Sequence, residues 1–292
     1  MKLTEHLAIR EGKSSCLICG GVGFTLEHNI PGSKSSVLSI CNCTSTECLK
    51  CESKGRPPYL AYDKAIEKMI PCFCHKVRIE LNRLEELMQK SNIPARYRYK
   101  FLSDIDLSDK NNLTLFAAHD WANSLILHLN DFEYWEKNNQ EKKGMYLWGG
   151  TGSGKTLLAC VILNELIFRY GVECRYVKIN MDFLDALKDT YQRDSEFHGK
   201  ERSILLDFTQ VEVLVLDDFG VQKDTEWALS KLYDLIDARY EEEKLTLLTS
   251  NSSISDWKEK GFGRIYSRLY EMTRELHLDC QDYRLRFQYE PG

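Results

Sequence analysis

The chain has no apolar run approaching the roughly 18 residues that a membrane-spanning helix needs. Its first residues, Met1-Lys2-Leu3-Thr4-Glu5-His6, form no apolar signal core either. No membrane partner is expected, and the cytoplasm, where thiols stay reduced, is the expected compartment. An excess of positive charge is also missing: 39 Lys and Arg against 44 Asp and Glu give a net charge of −5, with a pI near 5.9. That balance excludes a dedicated coat for duplex DNA and confines any nucleic-acid contact to a local patch. Cysteine is scarce over most of the chain, with only Cys160, Cys174 and Cys280 beyond residue 74. These three lie in apolar runs and read as small buried hydrophobes. A chain of 292 residues suffices for one sizeable core plus a smaller module, or for two ordinary domains.

The other eight cysteines crowd between Cys16 and Cys74 in four tight pairs: Cys16-x-x-Cys19, Cys41-x-Cys43, Cys48-x-x-Cys51 and Cys72-x-Cys74. The first C-x-x-C is followed after 21 residues by C-x-C and the second after 20, a repeat of 31 to 32 residues. Two copies of one metal module are expected. Four thiolates close a tetrahedral shell around Zn²⁺, and a two-residue spacer lets a tight turn aim both sulfurs at one ion, with Gly20-Gly21 supplying backbone freedom. The simplest assignment gives Cys16, Cys19, Cys41 and Cys43 to one zinc and Cys48, Cys51, Cys72 and Cys74 to a second. A cross-braced assignment, joining the two C-x-x-C pairs and the two C-x-C pairs, uses the same residues and stays open. With every ligand position filled by sulfur, such sites hold a small fold together and leave no open position for chemistry. Residues 1–75 therefore read as a Cys-rich, tandem zinc-binding docking module.

Residues 76–112 read as an amphipathic helix and linker. Val77, Leu81, Leu84, Leu87 and Met88 recur at helical spacing, and the helix should end near Ser91-Asn92-Ile93-Pro94. The stretch Arg96-Tyr97-Arg98-Tyr99-Lys100 interleaves basic and aromatic residues as single-strand binders do. A linker packed on its neighbour accounts for it better.

Residues 113–292 alternate strand-like and helix-like segments, the pattern of a parallel sheet covered by helices. Gly149-Gly150-Thr151-Gly152-Ser153-Gly154-Lys155-Thr156 fits G-x-x-x-x-G-K-[ST] between the apolar run Met145–Trp148 and a helix-like segment that stops near Tyr170-Gly171. Glycines let backbone N–H groups close on the phosphates, Lys155 adds a point charge, and Thr156 offers a hydroxyl to Mg²⁺. After a strand at Cys174–Ile179, Val211–Leu216 reads as a buried strand delivering Asp217 and Asp218 at its C-terminal end. In phosphate-loop triphosphatases the first acid holds Mg²⁺ and its neighbour orients the attacking water. A third strand, Leu245–Ser250, delivers Asn251 as a sensor of the γ-phosphate. The stripe Leu229, Leu232, Tyr233, Ile236 and Tyr240 reads as core packing alone.

Together with Trp227-Ala228-Leu229, Ile236–Tyr240, Thr249-Ser250-Asn251, Gly263–Leu269 and Asp282-Tyr283-Arg284, these motifs resemble the AAA+ ATPases of the DnaC/DnaI and IstB group. Ser91–Tyr97 is similar to the linker that introduces this domain in bacterial helicase loaders. The resemblance implies an α/β phosphate-loop (AAA+) fold with helices on both faces of a parallel sheet, without the C-terminal helical lid of many AAA+ proteins. It further implies Arg268, or else Arg264, as an arginine finger acting in a neighbouring subunit, and Arg284 as a second sensor. Asp218 departs from the Glu usual at that position and is a methylene shorter, which implies slow hydrolysis. The implied role is ATP-dependent loading of a replicative DNA helicase during DNA replication, with ATP, Mg²⁺ and two Zn²⁺ bound. The implied partners are the helicase, single-stranded DNA and further copies of the chain assembling on ATP. Two rivals stay open: an IstB-type transposition helper that binds duplex DNA, and a zinc-module adaptor that binds nucleotide without hydrolysing it.

Overall fold

The computed structural model describes residues 11–27, 36–45, 51, 56–109, 112–138, 141, 144–192, 199–220 and 225–280. The chain divides into two compact units, Met1–Lys90 with Pro94–Tyr99 and Glu165–Val172, and Ser91–Ile93 with Lys100–Asn164 and Glu173–Gly292.

In the first unit each half of the cysteine repeat builds the same object. Strands β1 (Phe24–Glu27) and β2 (Val37–Ile40) pair antiparallel, Phe24 opposite Ile40, and are followed by the single turn α1 (Asn42–Ser45). Strands β3 (Leu60–Asp63) and β4 (Lys68–Pro71) pair the same way, Leu60 opposite Pro71, and lead into α2 (His75–Lys90). Four-residue hairpins bury too little to stand alone. The long helix α2 buries Val77, Leu81, Leu84 and Met88 along one stripe. At Gly23 (φ 96°) the chain comes down onto that stripe, where a Cβ would lie 2.8 Å from a Val77 methyl. In the same unit Tyr99 is buried edge-on to Phe168, with ring centroids 5.8 Å apart, so this aromatic of the basic stretch is a packing residue.

The second unit opens with α3 (Leu113–Leu127) and α4 (Phe132–Lys137), capped by Asn112 and Asp131, whose side chains accept from Leu115 N and Tyr134 N. Then come β5 (Gly144–Gly149), α5 (Lys155–Tyr170), of which the residues up to Asn164 belong to this unit, β6 (Cys174–Lys178), a π-helical turn Ile179–Leu184, α6 (Asp185–Asp189) and α7 (Glu201–Gln210). They are followed by β7 (Val213–Phe219), α8 (Glu226–Glu241), β8 (Leu245–Ser250), α9 (Ile254–Glu259), α10 (Gly263–Met272) and β9 (Thr273–Leu278). The five strands are all parallel, in the order β6-β7-β8-β5-β9, with helices on both sides. Burial on both faces explains why Met145-Tyr146-Leu147 and Val213–Leu216 run apolar without alternation. Tyr146, Leu214, Leu216 and Leu248 of the sheet pack with Leu232, Ile236, Trp257 and Leu269 of the helices.

Some details depart from the sequence reading, among them the end of β6 at Lys178, one residue before the expected Ile179. Strand β7 starts at Val213, two residues late, because Val211 ends α7 and gives its carbonyl to Arg239 Nη1 at 2.8 Å. The buried stripe of α8 is Ala228, Leu232, Leu235, Ile236 and Arg239. Leu229 and Tyr233 pack only partly against the core, and the Tyr240 hydroxyl donates to Glu271 at 2.7 Å.

Candidate nucleotide and metal sites

Strand β5 ends in Gly149, which has φ 148°, and a Cβ there would run into the main chain of Leu278. Gly152 and Gly154 also have positive φ, 78° and 93°, and no atom lies within 4 Å of where a Cβ at Gly150 or Gly154 would stand. The loop thus turns back over the N-terminus of the 16-residue helix α5, with main chain bare on its open side. Backbone N–H groups and the positive helix end converge there, which suits a phosphate chain. Thr151 is exposed and Ser153 is buried. Lys155, 8% exposed, bridges the loop: its ammonium donates to Gly149 O at 2.9 Å, Gly150 O at 2.7 Å and Ser153 Oγ at 3.4 Å.

The two acids of β7 sit in a bulge. Leu216 lies opposite Leu248, yet Phe219 lies opposite Ser250, so Asp217 and Asp218 share one residue of β8, Thr249. Asp218 takes φ 60°, a conformation Asp tolerates better than most residues, and its side chain is exposed while Asp217 is 3% exposed. Thr249 fills the bulge: its hydroxyl accepts from Asp218 N at 3.1 Å and donates to Asp217 Oδ1 at 2.5 Å. Thr156 Oγ1, at the start of α5, donates to the same Oδ1 at 2.9 Å. The Tyr176 hydroxyl, from β6, donates to Oδ2 at 2.5 Å. Burial, then the Asp217 charge, push the Tyr176 phenol well above its ordinary value, so it remains a donor. A hydroxyl and a carboxylate side by side at a helix N-terminus are the hard oxygen donors Mg²⁺ selects, so the residues present fit that ion.

Asn251 follows β8 directly and is exposed. Because β8 lies between β7 and β5, Asn251 leaves the sheet between the acids and the glycine loop. The turn after it is held by Tyr146, whose hydroxyl donates to Ser252 O at 3.0 Å, and by the capping box of Ser253 and Asp256. Arg268 and Arg264 lie on α10 and are directed onto α8. Arg268 Nε donates to Asp237 Oδ1 at 2.7 Å and its guanidinium lies 4.7 Å from the Tyr240 ring, whereas Arg264 is exposed and 5.9 Å from the Tyr233 ring. Arg284 lies outside the described residues.

In the first unit the sulfurs of Cys16, Cys19, Cys41 and Cys43 all lie within 4.8 Å of one another, and so do those of Cys51, Cys72 and Cys74. Cys48 lies outside the described residues. The grouping follows the chain order and not the cross-braced alternative, because each antiparallel hairpin returns its C-x-C to its own C-x-x-C. Cys16 and Cys41 sulfurs are 3.8 Å apart and those of Cys19 and Cys43 3.5 Å. A tetrahedron with Zn–S near 2.3 Å has edges of about 3.8 Å, so the donor set fits zinc. Gly23 N donates to Cys19 Sγ at 3.4 Å and Arg78 Nε to Cys74 Sγ at 3.3 Å, the outer contacts a thiolate site uses. Backbone N–H groups of Cys19 and Ile18 hold the Cys16 thiol down to about 6, while burial pushes Cys41 up to about 12. Cys160 and Cys174 are fully buried as expected, but Cys280 is half-buried and accepts from Asn112 Nδ2 at 2.9 Å.

Comparison with known proteins agrees with this geometry. The chain is 25% identical over 246 residues to the phage-like element PBSX protein XkdC of Bacillus subtilis (strain 168), covering 81% of this chain and 80% of that one. It is 26% identical over 214 residues to the replicative helicase loader DnaI of the same strain, covering 68% of this chain and 63% of DnaI. Among solved structures, that of the DnaC helicase loader superposes with a TM-score of 0.52 at 25% identity, over 64% of this chain and all of the other. The match to the family described as IstB-like ATP binding protein runs from residue 75 to 288. With most of its length inside that match, the chain belongs to the IstB-like ATP-binding family, homologous to the DnaC and DnaI helicase loaders.

Proposed function

We propose that the protein is an ATP-driven loader of a replicative DNA helicase, acting in the cytoplasm, in which the tandem zinc module docks on the helicase and the ATPase unit switches its grip. The observation that carries this reading is the acid bulge. Thr156 of the glycine loop and Thr249 of β8 both donate to the Asp217 carboxylate, which supports a reading in which one acid would register the loop, the Mg²⁺ and the γ-phosphate side.

In this reading Gly149–Thr156 cradles the phosphates and Lys155 swings from the loop carbonyls to the β- and γ-phosphates. Thr156 and Asp217 hold Mg²⁺, which supplies charge neutralisation at the transferring phosphoryl group. Asp218 and Asn251 orient the attacking water. Arg268, or else Arg264, completes the site of a neighbouring copy, and Arg284 serves as a second sensor. The short Asp218 side chain suits slow hydrolysis that a partner accelerates. The eight repeat cysteines hold two Zn²⁺, and their hairpins form the docking module at residues 1–75. Residues 76–112 link it to the ATPase unit at 113–292, which engages single-stranded DNA as copies assemble on ATP.

The test is capture of partners by the full chain with and without a non-hydrolysable ATP analogue, beside Lys155→Ala. A replicative helicase released or retained according to nucleotide supports the loader; a transposase supports the IstB-type helper. If Lys155→Ala leaves nucleotide binding, turnover and partner release unchanged, the switch reading is wrong and a non-hydrolysing adaptor takes its place.

A further inference from the structure

A carboxylate turns easily about its last torsion, which is broad and two-fold. Asp217 has no such freedom. One oxygen accepts from Tyr176 on β6, the other from Thr249 on β8 and Thr156 on α5. The two flanking strands thus grip the acid of the strand between them. Tyr176, 2% exposed, is paired with Val215, so its long phenol reaches two residues along the sheet to Asp217. O–H···O⁻ contacts of this length are the short, charge-assisted kind.

We propose that Tyr176 and Thr249 are positioning residues of the nucleotide site: the Tyr176 hydroxyl pins Oδ2 of Asp217 so that Oδ1 stays turned to Thr156, and Thr249 locks that orientation to the path of Asp218. This rests on the reading of Asp217 as the Mg²⁺-holding acid. Neither residue touches nucleotide; both act through the carboxylate. The phenylalanine ring keeps the packing of Tyr176 and loses only the donor, and valine does the same for Thr249. Serine at 249 retains the hydroxyl.

The experiment titrates Mg²⁺ against binding of a fluorescent ATP analogue to the full chain, with EDTA as the metal-free arm. The proteins are wild type, Tyr176→Phe, Thr249→Val, Thr249→Ser, Asp217→Asn and Lys155→Ala, each checked for folding by circular dichroism. Loss of an outer hydrogen bond to a metal-holding group typically costs 10- to 100-fold in metal affinity. Tyr176→Phe and Thr249→Val should therefore each need about tenfold more Mg²⁺, bind the analogue in EDTA to within about twofold of wild type, and Thr249→Ser should restore most of the loss. Lys155→Ala should weaken binding in both arms. If Asp217→Asn loses the Mg²⁺ dependence while Tyr176→Phe and Thr249→Val titrate like wild type, the positioning role is wrong and the reading of Asp217 stands. If Asp217→Asn titrates like wild type, the reading of Asp217 fails and takes the proposal with it. Should Tyr176→Phe prove unfolded, the Val and Ser pair at 249 decides alone.

Discussion

Replacing Arg239 by Met should come close to unfolding the ATP-binding unit, although Arg239 touches no part of the nucleotide site. Its guanidinium is fully buried and donates to Phe208 O at 2.8 Å, Thr209 O at 3.1 Å, Val211 O at 2.8 Å, Leu245 O at 2.7 Å and Thr246 Oγ1 at 2.9 Å. It therefore closes the end of α7 and ties it to the start of β8. In the Met variant four main-chain carbonyls lose a charged donor, at about 1–3 kcal/mol each. Against this stands the desolvation of one buried cation, several kcal/mol, which the variant no longer bears. The difference is a loss of about 4 kcal/mol, a large part of the roughly 5–15 kcal/mol that holds a domain folded. Arg239→Lys should recover less than half, because an ammonium has three donors against five and no fork. Urea unfolding followed by tryptophan fluorescence measures both variants. A Met variant within about 1 kcal/mol of wild type would falsify this account, since it would mean the cation's burial costs as much as its five bonds return.

Metal analysis of the purified chain should find two zinc ions. The double variant Cys16→Ser with Cys51→Ser should lose both, because the structure puts those two sulfurs in different clusters; retention of one would restore the cross-braced alternative. Arg268→Ala should bind ATP as wild type does yet turn it over at least tenfold more slowly, with recovery when mixed with a chain that has an intact Arg268 and a disabled Lys155. No recovery on mixing, together with full activity of Arg264→Ala, would confine Arg268 to its pair with Asp237.

The elements that were legible in the sequence are those whose signal is local. The glycine loop requires positive φ at fixed spacing, and Gly149, Gly152 and Gly154 all adopt it. Strand β8 matches its expected bounds because its leucines and threonines suit extended chain and every residue after Leu245 is buried. The buried stripe of α2 was legible in the same way, with Leu87 alone left partly exposed. The misplaced start of β7 has the opposite cause: Val211 is as apolar as a strand residue, but its carbonyl is claimed by a side chain 28 residues away. Arg239 enters the sequence reading only as a member of the Ile236–Tyr240 motif, since nothing within one turn reveals carbonyls converging from α7 and β8. Tyr176 was equally silent, because its partner is set by strand order, which the spacing of motifs does not encode.

Strand order also accounts for where the chemistry concentrates. In the order β6-β7-β8-β5-β9 the glycine loop leaves β5 and the acids leave β7, so these two motifs are separated by one strand, β8. A side chain on β8 is thus the natural bridge between them. Thr249 bonds to both acids of β7, and Asn251 follows two residues later, just past the end of β8. The bulge makes the bridge possible: without the extra residue in β7, Asp217 and Asp218 would alternate strictly across the sheet. With it, one threonine holds Asp217 by its carboxylate and Asp218 by its backbone. One hydroxyl on β8 thus ties the carboxylate of Asp217 and the main chain of Asp218 to the strand that Asn251 follows, so the acids and the sensor position share a single anchor.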